Sequence, residues 1–286
     1  MAITLTGACE ARLGGDTAVD DAGGDGPLFS TDGPEPDAPL GNFGAPQAIT
    51  VAATGAQEDD GTLSHDGLEL VYPVATAGQK DLFYASRPDL QSAFGPVTTL
   101  PFSAPTTSEE TPRFSEDDLT LFFAKTVGTG NLDIHRVTRP TAGSQAWGTP
   151  SVVAGVNGAV VDKWFMPCDG NRYLLIIGAD IAEGVLGAGL PTIVAELSSA
   201  DSETGPFVSK DCLSVTFAST RSDGATNLLY TSSRIALDQP WSPPVVFDTF
   251  AALGGSQQDP FISNDNRTFV LVSNISGTND LYLSTR

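Results

Sequence analysis

The stretch Ser108-Glu109-Glu110-Thr111-Pro112-Arg113-Phe114-Ser115-Glu116-Asp117-Asp118-Leu119-Thr120-Leu121-Phe122-Phe123 decides the fold, because the chain repeats its grammar five times. It reads acidic residue, spacer, Pro, any residue, apolar residue, Ser, any residue, Asp, and then an apolar strand. The same order returns at Glu203…Pro206-Phe207-Val208-Ser209-Lys210-Asp211 before residues 213–217, and at Gln258-Asp259-Pro260-Phe261-Ile262-Ser263-Asn264-Asp265 before 268–272. Earlier, Glu58…Leu63-Ser64-His65-Asp66 leads into 68–72. A degenerate copy, Asp162-Lys163-Trp164-Phe165-Met166-Pro167-Cys168-Asp169, precedes 173–177.

The turn aspartates 66, 117, 169, 211 and 265 lie 51, 52, 42 and 54 residues apart. A second element trails four of them: Asp81-Leu82-Phe83…Arg87, Asp133-Ile134-His135…Arg139, Leu228-Leu229-Tyr230…Arg234 and Asp280-Leu281-Tyr282…Arg286. A third follows as Phe94-Gly95-Pro96, Trp147-Gly148-Thr149-Pro150 and Trp241-Ser242-Pro243. The copy due after Arg286 stands instead at the other end, as Phe43-Gly44-Ala45-Pro46. Each period holds about four short strands, the content of one propeller blade. A displaced strand that completes the last blade closes the ring without an exposed edge. The expectation is an all-β chain: a five-bladed β-propeller over 43–286, closed by an N-terminal outer strand pairing in the last blade. The short interval of 42 predicts that the third blade lacks its outermost strand and carries a Gly-rich insertion at 178–190.

Composition agrees. Among 286 residues are 30 Gly and 20 Pro, with 40% hydrophobic and 17% charged residues, a profile of strands and turns rather than a helical bundle. Acidic side chains outnumber basic ones 35 to 14, a net charge of −21, which argues against nucleic acid and anionic lipid surfaces as partners. Two histidines are too few for a His-rich zinc site. No P-loop, dinucleotide fingerprint or nucleophile elbow occurs.

Residues 1–8 form a short apolar stretch, and Leu5-Thr6-Gly7-Ala8-Cys9 resembles the end of a bacterial lipoprotein signal, with Cys9 as the lipidation site. Residues 10–42 carry Glu10, Asp16, Asp20, Asp21, Asp25, Asp32, Glu35 and Asp37 among Gly and Pro, against the single cation Arg12. Such a segment buries too little apolar surface to offset its ordering entropy and reads as a disordered tether.

The repeated Glu-x-x-Pro-x-Phe-Ser-x-Asp, Asp-Ile/Leu-x-x-x-Thr/Ser-Arg and Trp-Gly-x-Pro elements resemble the TolB-like branch of WD40-like propeller repeats. TolB itself has six blades against the five units counted here. The resemblance covers nearly all of 43–286 and implies a bacterial envelope location, periplasmic or anchored at the outer membrane. It also implies protein binding without catalysis, by a monomer whose partner is an envelope protein or glycan and whose membrane contact is the lipid alone.

Residues seven or eight before each turn aspartate should begin the innermost strand and face the channel: Glu58 or Asp59, Glu109 or Glu110, Asp162, Glu203, and Gln257 or Gln258 in the fifth unit, with Glu58, Glu109, Asp162 and Glu203 singled out among them. Clustered carboxylates must be paired, protonated or bound to a cation, so these four are the candidate ligands of a Ca²⁺ that would make the chain a calcium-stabilised module. The alternative is that each caps backbone N–H groups. A further alternative is a carbohydrate-active enzyme of the glycoside hydrolase-like five-bladed type, with Glu109, Asp162 and Glu203 as acid and base, needing two carboxyls roughly 5–10 Å apart, and Trp164 as a stacking platform. Cys168 and Cys212 flank the turns of adjacent units; an exported chain could oxidise them to a disulfide, but the distance between their loops favours buried or free thiols.

Overall fold

A computed structural model describes residues 42–51, 57–76, 78–104, 106–128 and 130–286. The proposed lipidation site Cys9 and the tether, apart from Asn42, lie outside the described residues. Strand β1 (Gln47–Ala48) stands apart from the rest of the chain order. The first blade is β2 (Thr62–Leu63), β3 (Glu69–Thr76), β4 (Gln79–Ser86) and β5 (Thr98–Thr99). The second is β6 (Glu109–Phe114), β7 (Thr120–Val127), β8 (Asn131–Thr138) and β9 (Ser151–Val152). The third is β10 (Asp162–Cys168), β11 (Arg172–Ile177), β12 (Asp180–Val185) and β13 (Thr192–Ile193). The fourth is β14 (Glu203–Val208), β15 (Ser214–Ser219), β16 (Leu228–Ser233) and β17 (Val245–Val246). The fifth is β18 (Gln257–Ile262), β19 (Thr268–Ser273), β20 (Asp280–Thr285) and, from the other end, β1. The protein is therefore a five-bladed propeller.

The closing strand pairs Gln47 with Leu283 and Ala48 with Tyr282, flanked by Gly44 N–H to Thr285 O (2.9 Å) and Ile49 N–H to Leu281 O (2.8 Å). One expectation needs correction. The third blade keeps its outermost strand, β13, which pairs with β12 through Ile193 and Ala182. Its period is short because β11 and β12 are six residues each around a two-residue turn, against eight in the first two blades, and because the arch from β12 to β13 is brief; the stretch 178–190 is β12 with its flanking turns rather than an insertion.

The second strands are buried on both faces, which explains their apolar runs, such as residues 121–124 in β7 and 173–176 in β11. In β11, Tyr173 and Leu175 pack toward the second blade, whereas Leu174 and Ile176 pack toward the fourth. In β19, Phe269 and Leu271 meet the fourth blade while Val270 and Val272 meet the first. Alternation with period two thus feeds two seams at once, and each of the five seams owns one apolar cluster.

The sequence motifs fasten each blade's inner turn to its outer loop. In Ser64-His65-Asp66-Gly67 the Ser64 hydroxyl donates to Asp66 (2.6 Å), Asp66 accepts the Leu68 N–H (3.0 Å), and Ser64 Oγ accepts the Glu69 N–H (2.9 Å). The same three bonds recur at Ser115/Asp117, Ser209/Asp211 and Ser263/Asp265. The residue after each aspartate is left-handed: Gly67, Asp118, Cys212 and Asn266, with φ of 69°, 55°, 56° and 58°. Its carbonyl accepts the Nε–H of the repeat arginine, at 2.8 Å for Arg87, 2.6 Å for Arg139, 2.9 Å for Arg234 and 2.6 Å for Arg286. Each guanidinium then lies over the third-element aromatic, Phe94, Trp147, Trp241 or Phe43, 4.2–4.8 Å from the ring centre. Phe43 reaches Arg286 only because β1 closes the ring. Its motif is the missing fifth copy.

The third blade departs from the scheme. Leu186 stands where the arginine would, and Cys168 stands where the serine would. Cys168 is bonded to Cys212 of the fourth blade with Cα atoms 5.4 Å apart, which corrects the expectation of free thiols. The loops lie close because the Asp169 N–H donates to Lys210 O (2.8 Å), joining the two turns.

Two outcomes follow. Phe43→Ala removes the aromatic lid of Arg286 and its edge contact with Phe269 (5.4 Å), and should cost about 2 kcal/mol in urea unfolding, less than a full core truncation because Phe43 is half-buried. The double variant Cys168→Ser/Cys212→Ser should lose about 3–4 kcal/mol, set by opening a loop of 44 residues, and the same loss should appear on reduction of the wild type.

Candidate functional site

Every innermost strand is broken by a bulge one turn into the blade. The ladder slips between Glu110 and Arg113, Lys163 and Met166, Thr204 and Phe207, and Gln258 and Phe261. At the bulge one residue per blade is left-handed: Asp60, Thr111, Trp164, Gly205 and Asp259, with φ between 47° and 54°. Four of the five carry a side chain in a region that costs such residues energy. This strained ring sits on the axis.

Its bonds run across the channel rather than within a blade. The Trp164 indole N–H donates to Asp60 Oδ1 (2.8 Å), and the Trp164 backbone N–H donates to Thr111 Oγ1 (3.2 Å). Asp60 and Asp259, both buried, share a hydrogen bond between their carboxyls. Burial pushes both acids up, and the neighbouring Asp60 charge adds to this for Asp259. Gly205 makes room: a Cβ there would stand 2.6 Å from Asp259 Oδ1 and 2.7 Å from its Cα. Above them lies Arg113, fully buried, whose Nη1 donates to Asp60 O (3.3 Å) and Pro112 O (2.8 Å).

The carboxylates singled out from the sequence lie elsewhere. Glu109 accepts from Thr107 Oγ1 (2.6 Å) and pairs with Lys125 (2.6 Å). Glu203 accepts the Ser199 N–H (3.1 Å) and hydroxyl (2.6 Å), the Ser219 hydroxyl (3.0 Å) and Arg221 (3.0 Å). Asp162 accepts the Gly158 N–H (2.8 Å), and Gln257, at the same place in the fifth blade, donates to Phe250 O (2.9 Å). Each secures the loop by which the chain enters its blade. Glu58 is hydrogen-bonded to Asp280 across the first and fifth blades. The structure does not gather Glu58, Glu109, Asp162 and Glu203 into one centre, and among the described residues no group of three or more His, Cys, Asp or Glu is placed to hold a metal ion.

The residues one place further along face the mouth where the chain enters the inner strands. Lys80 bridges Asp59 (3.1 Å) and Glu110 (3.5 Å), Lys163 joins Glu110 (2.8 Å), and Asn279 donates to Asp59 (3.0 Å). Burial raises the Glu110 carboxyl, but the two lysines outweigh it and hold the group below its ordinary range. This mouth is crossed by charge pairs. The opposite mouth, on the side of the Ser-x-Asp turns, opens into a cavity of about 520 Å³ with Arg113, Met166, Phe207 and Phe261 among its walls. It is continuous with a groove of about 840 Å³ between the fourth and fifth blades, through Phe207, Lys210, Ile262 and Asn264.

Sequence reasoning missed the axial acids. Asp259 was read as the acidic start of the fifth motif, and Asp60 was passed over for Glu58 and Asp59. The available signal was Gly205, since a glycine at that register marks a left-handed residue.

No family model matches the sequence, and no curated protein matches it. Solved structures share the fold. The catalytic domain of the Coprinopsis cinerea GH62 α-L-arabinofuranosidase aligns with a TM-score of 0.56 and 14% identity, covering 86% of this chain and 97% of that one. The Podospora anserina α-L-arabinofuranosidase PaAbf62A, solved with cellotriose, gives 0.57 and 13%, covering 86% and 96%. TolB from Acinetobacter baumannii gives 0.50 and 14%, covering 81% of this chain, which spans 55% of that TolB.

Glu58 sets a pH dependence. Burial, then the Asp280 charge, raise its pKa from 4.5 to about 7. The folded state therefore binds a proton that the unfolded state has released, and stability falls as pH rises from about 4.5 to about 7. Glu58→Gln should raise the melting temperature relative to wild type at pH 8 and leave it close to wild type at pH 4.5, measured by calorimetry across that range. An equal effect of the substitution at both ends would show that the pair does not share a proton.

Proposed function

We propose that the protein is a non-catalytic binding module of the bacterial envelope that engages a protein or glycan partner with the turn-side mouth of its propeller. One observation carries this reading. The repeat residues that hold the fold, namely the serine, the turn aspartate, the arginine and its aromatic, return in four of the five blades, while the residues that face the cavity, one on each inner strand and one in the turn after it, change along the ring. They are Thr62, Arg113, Met166, Phe207 and Phe261 in the wall, and His65, Glu116, Asp169, Lys210 and Asn264 around the rim. Positions released from structural duty and converging on one concavity are where recognition is built.

The Cys168–Cys212 disulfide supports export to an oxidising compartment. The resemblance of the repeats to TolB-like propellers supports the envelope, and the Cys9 signal supports a lipid anchor that leaves the tether as a spacer. The rival reading is a glycoside hydrolase, favoured by the near-complete coverage of the arabinofuranosidase domains. Against it, Glu109 and Glu203 are tied to their own loops by three or more partners each. The acids that do lie on the axis touch one another, closer than the roughly 5 Å that glycosidase carboxyl pairs need.

Immobilised protein should capture a partner from envelope extract, and Asp169→Arg/Asn264→Arg at the rim should reduce capture at least tenfold with unchanged melting temperature. The protein should release no sugar from a panel of arabinoxylan, arabinan and cello-oligosaccharides. Turnover abolished by Glu109→Gln or Glu203→Gln would establish the hydrolase instead.

A further inference from the structure

Arg113 is the one repeat-unit arginine at the axis rather than in a seam, and it is bonded differently. The seam arginines each give Nε–H to a carbonyl. Arg113 gives only Nη1, to Asp60 O and Pro112 O. Its Nε and Nη2 are buried and bond to nothing in the chain. Those two N–H groups leave a planar guanidinium in the same direction, spaced to match the two oxygens of one carboxylate. A buried cationic donor without an acceptor is costly, so this edge is built to meet one.

The neighbouring acids are not that acceptor. Asp60 is taken by the Trp164 indole, and Asp259, although its Oδ1 is also buried without a partner, makes no hydrogen bond to the guanidinium. Around the arginine the cavity wall is apolar, with Met166, Phe207 and Phe261, the two rings packed edge to face at 5.4 Å. We propose that the cavity binds a ligand by its carboxylate, seated on the Nε–Nη2 edge of Arg113, with the ligand's apolar body against Met166, Phe207 and Phe261. A phosphate fits less well: its second charge would face the Asp60–Asp259 pair with no second cation on the floor. The two nitrogens are closed to water in the free chain, so seating the carboxylate takes a side-chain shift in the floor.

This inference rests on the turn-side cavity being the recognition face, and its test separates the two. Isothermal titration of the whole chain would use benzoate, phenylacetate and hexanoate, each beside its neutral amide, and inorganic phosphate. At least one carboxylate should bind, its amide at least tenfold more weakly, and phosphate more weakly than the carboxylate. Arg113→Lys, which keeps the charge and loses the fork, should weaken that carboxylate at least tenfold. The wild-type carboxylate and amide comparison stands even if this variant fails to fold. No binding by any carboxylate, an amide that binds equally well, phosphate binding more tightly, or an unaffected Arg113→Lys protein would overturn the proposal. Should partner capture persist while every carboxylate fails, the ligand chemistry falls and the binding face remains.

Discussion

A ring of blades closes only if its last blade is completed, and every other feature of this molecule depends on that closure. Two residues of β1 do it, hydrogen-bonded to β20 and fastened by Phe43 over Arg286. Without this join the first and fifth blades would lose the cluster formed by Leu70, Tyr72, Val270, Val272 and Leu281. The axis would then have no reason to hold five left-handed residues in place.

The seams show how one chemical solution is reused and where it is replaced. Four blades bind the left-handed turn carbonyl with an arginine laid on an aromatic ring. In two seams the arginine also reaches a neighbouring carboxylate with both nitrogens, Arg139 to Glu69 at 2.8 and 2.6 Å and Arg234 to Glu183 at 3.0 and 2.8 Å. The third blade lacks the arginine and the serine, and a disulfide to the fourth blade takes over the joint. The axis follows another rule. Acids there are held close enough to share a proton, and strained backbone is over-determined by the blades around it.

Fold and closure were legible in the sequence because both rest on short motifs with local physical causes. Ser-x-Asp writes a turn, the arginine and the aromatic write a stack, and Phe43-Gly44-Ala45-Pro46 at the wrong end writes the join. In the third blade, shorter strands and a brief arch to β13 shorten the period without removing a strand, so length alone does not count strands. The disulfide was legible as a pairing but not as a bond, because its two cysteines occupy different repeat positions, which only the offset between adjacent blades brings together. The candidate site was less legible still. Charge pattern draws attention to Glu58, Glu109, Asp162 and Glu203, whereas the bulge turns the next residues but one toward the axis, and only Gly205 betrays the turn. Which carboxylate faces the channel depends on a backbone irregularity that hydrophobic periodicity does not encode.

Native-state amide hydrogen exchange tests the central claim most directly. If the N-terminal strand seals the ring, the Gly44 and Ile49 amides should exchange with the same opening free energy as amides in the middle strands β7 and β19 of the second and fifth blades, because they open only when the whole ring does. Fast exchange at Gly44 and Ile49 beside full protection in β19 would show that the fifth blade stands without its borrowed strand, and the account of closure would be wrong.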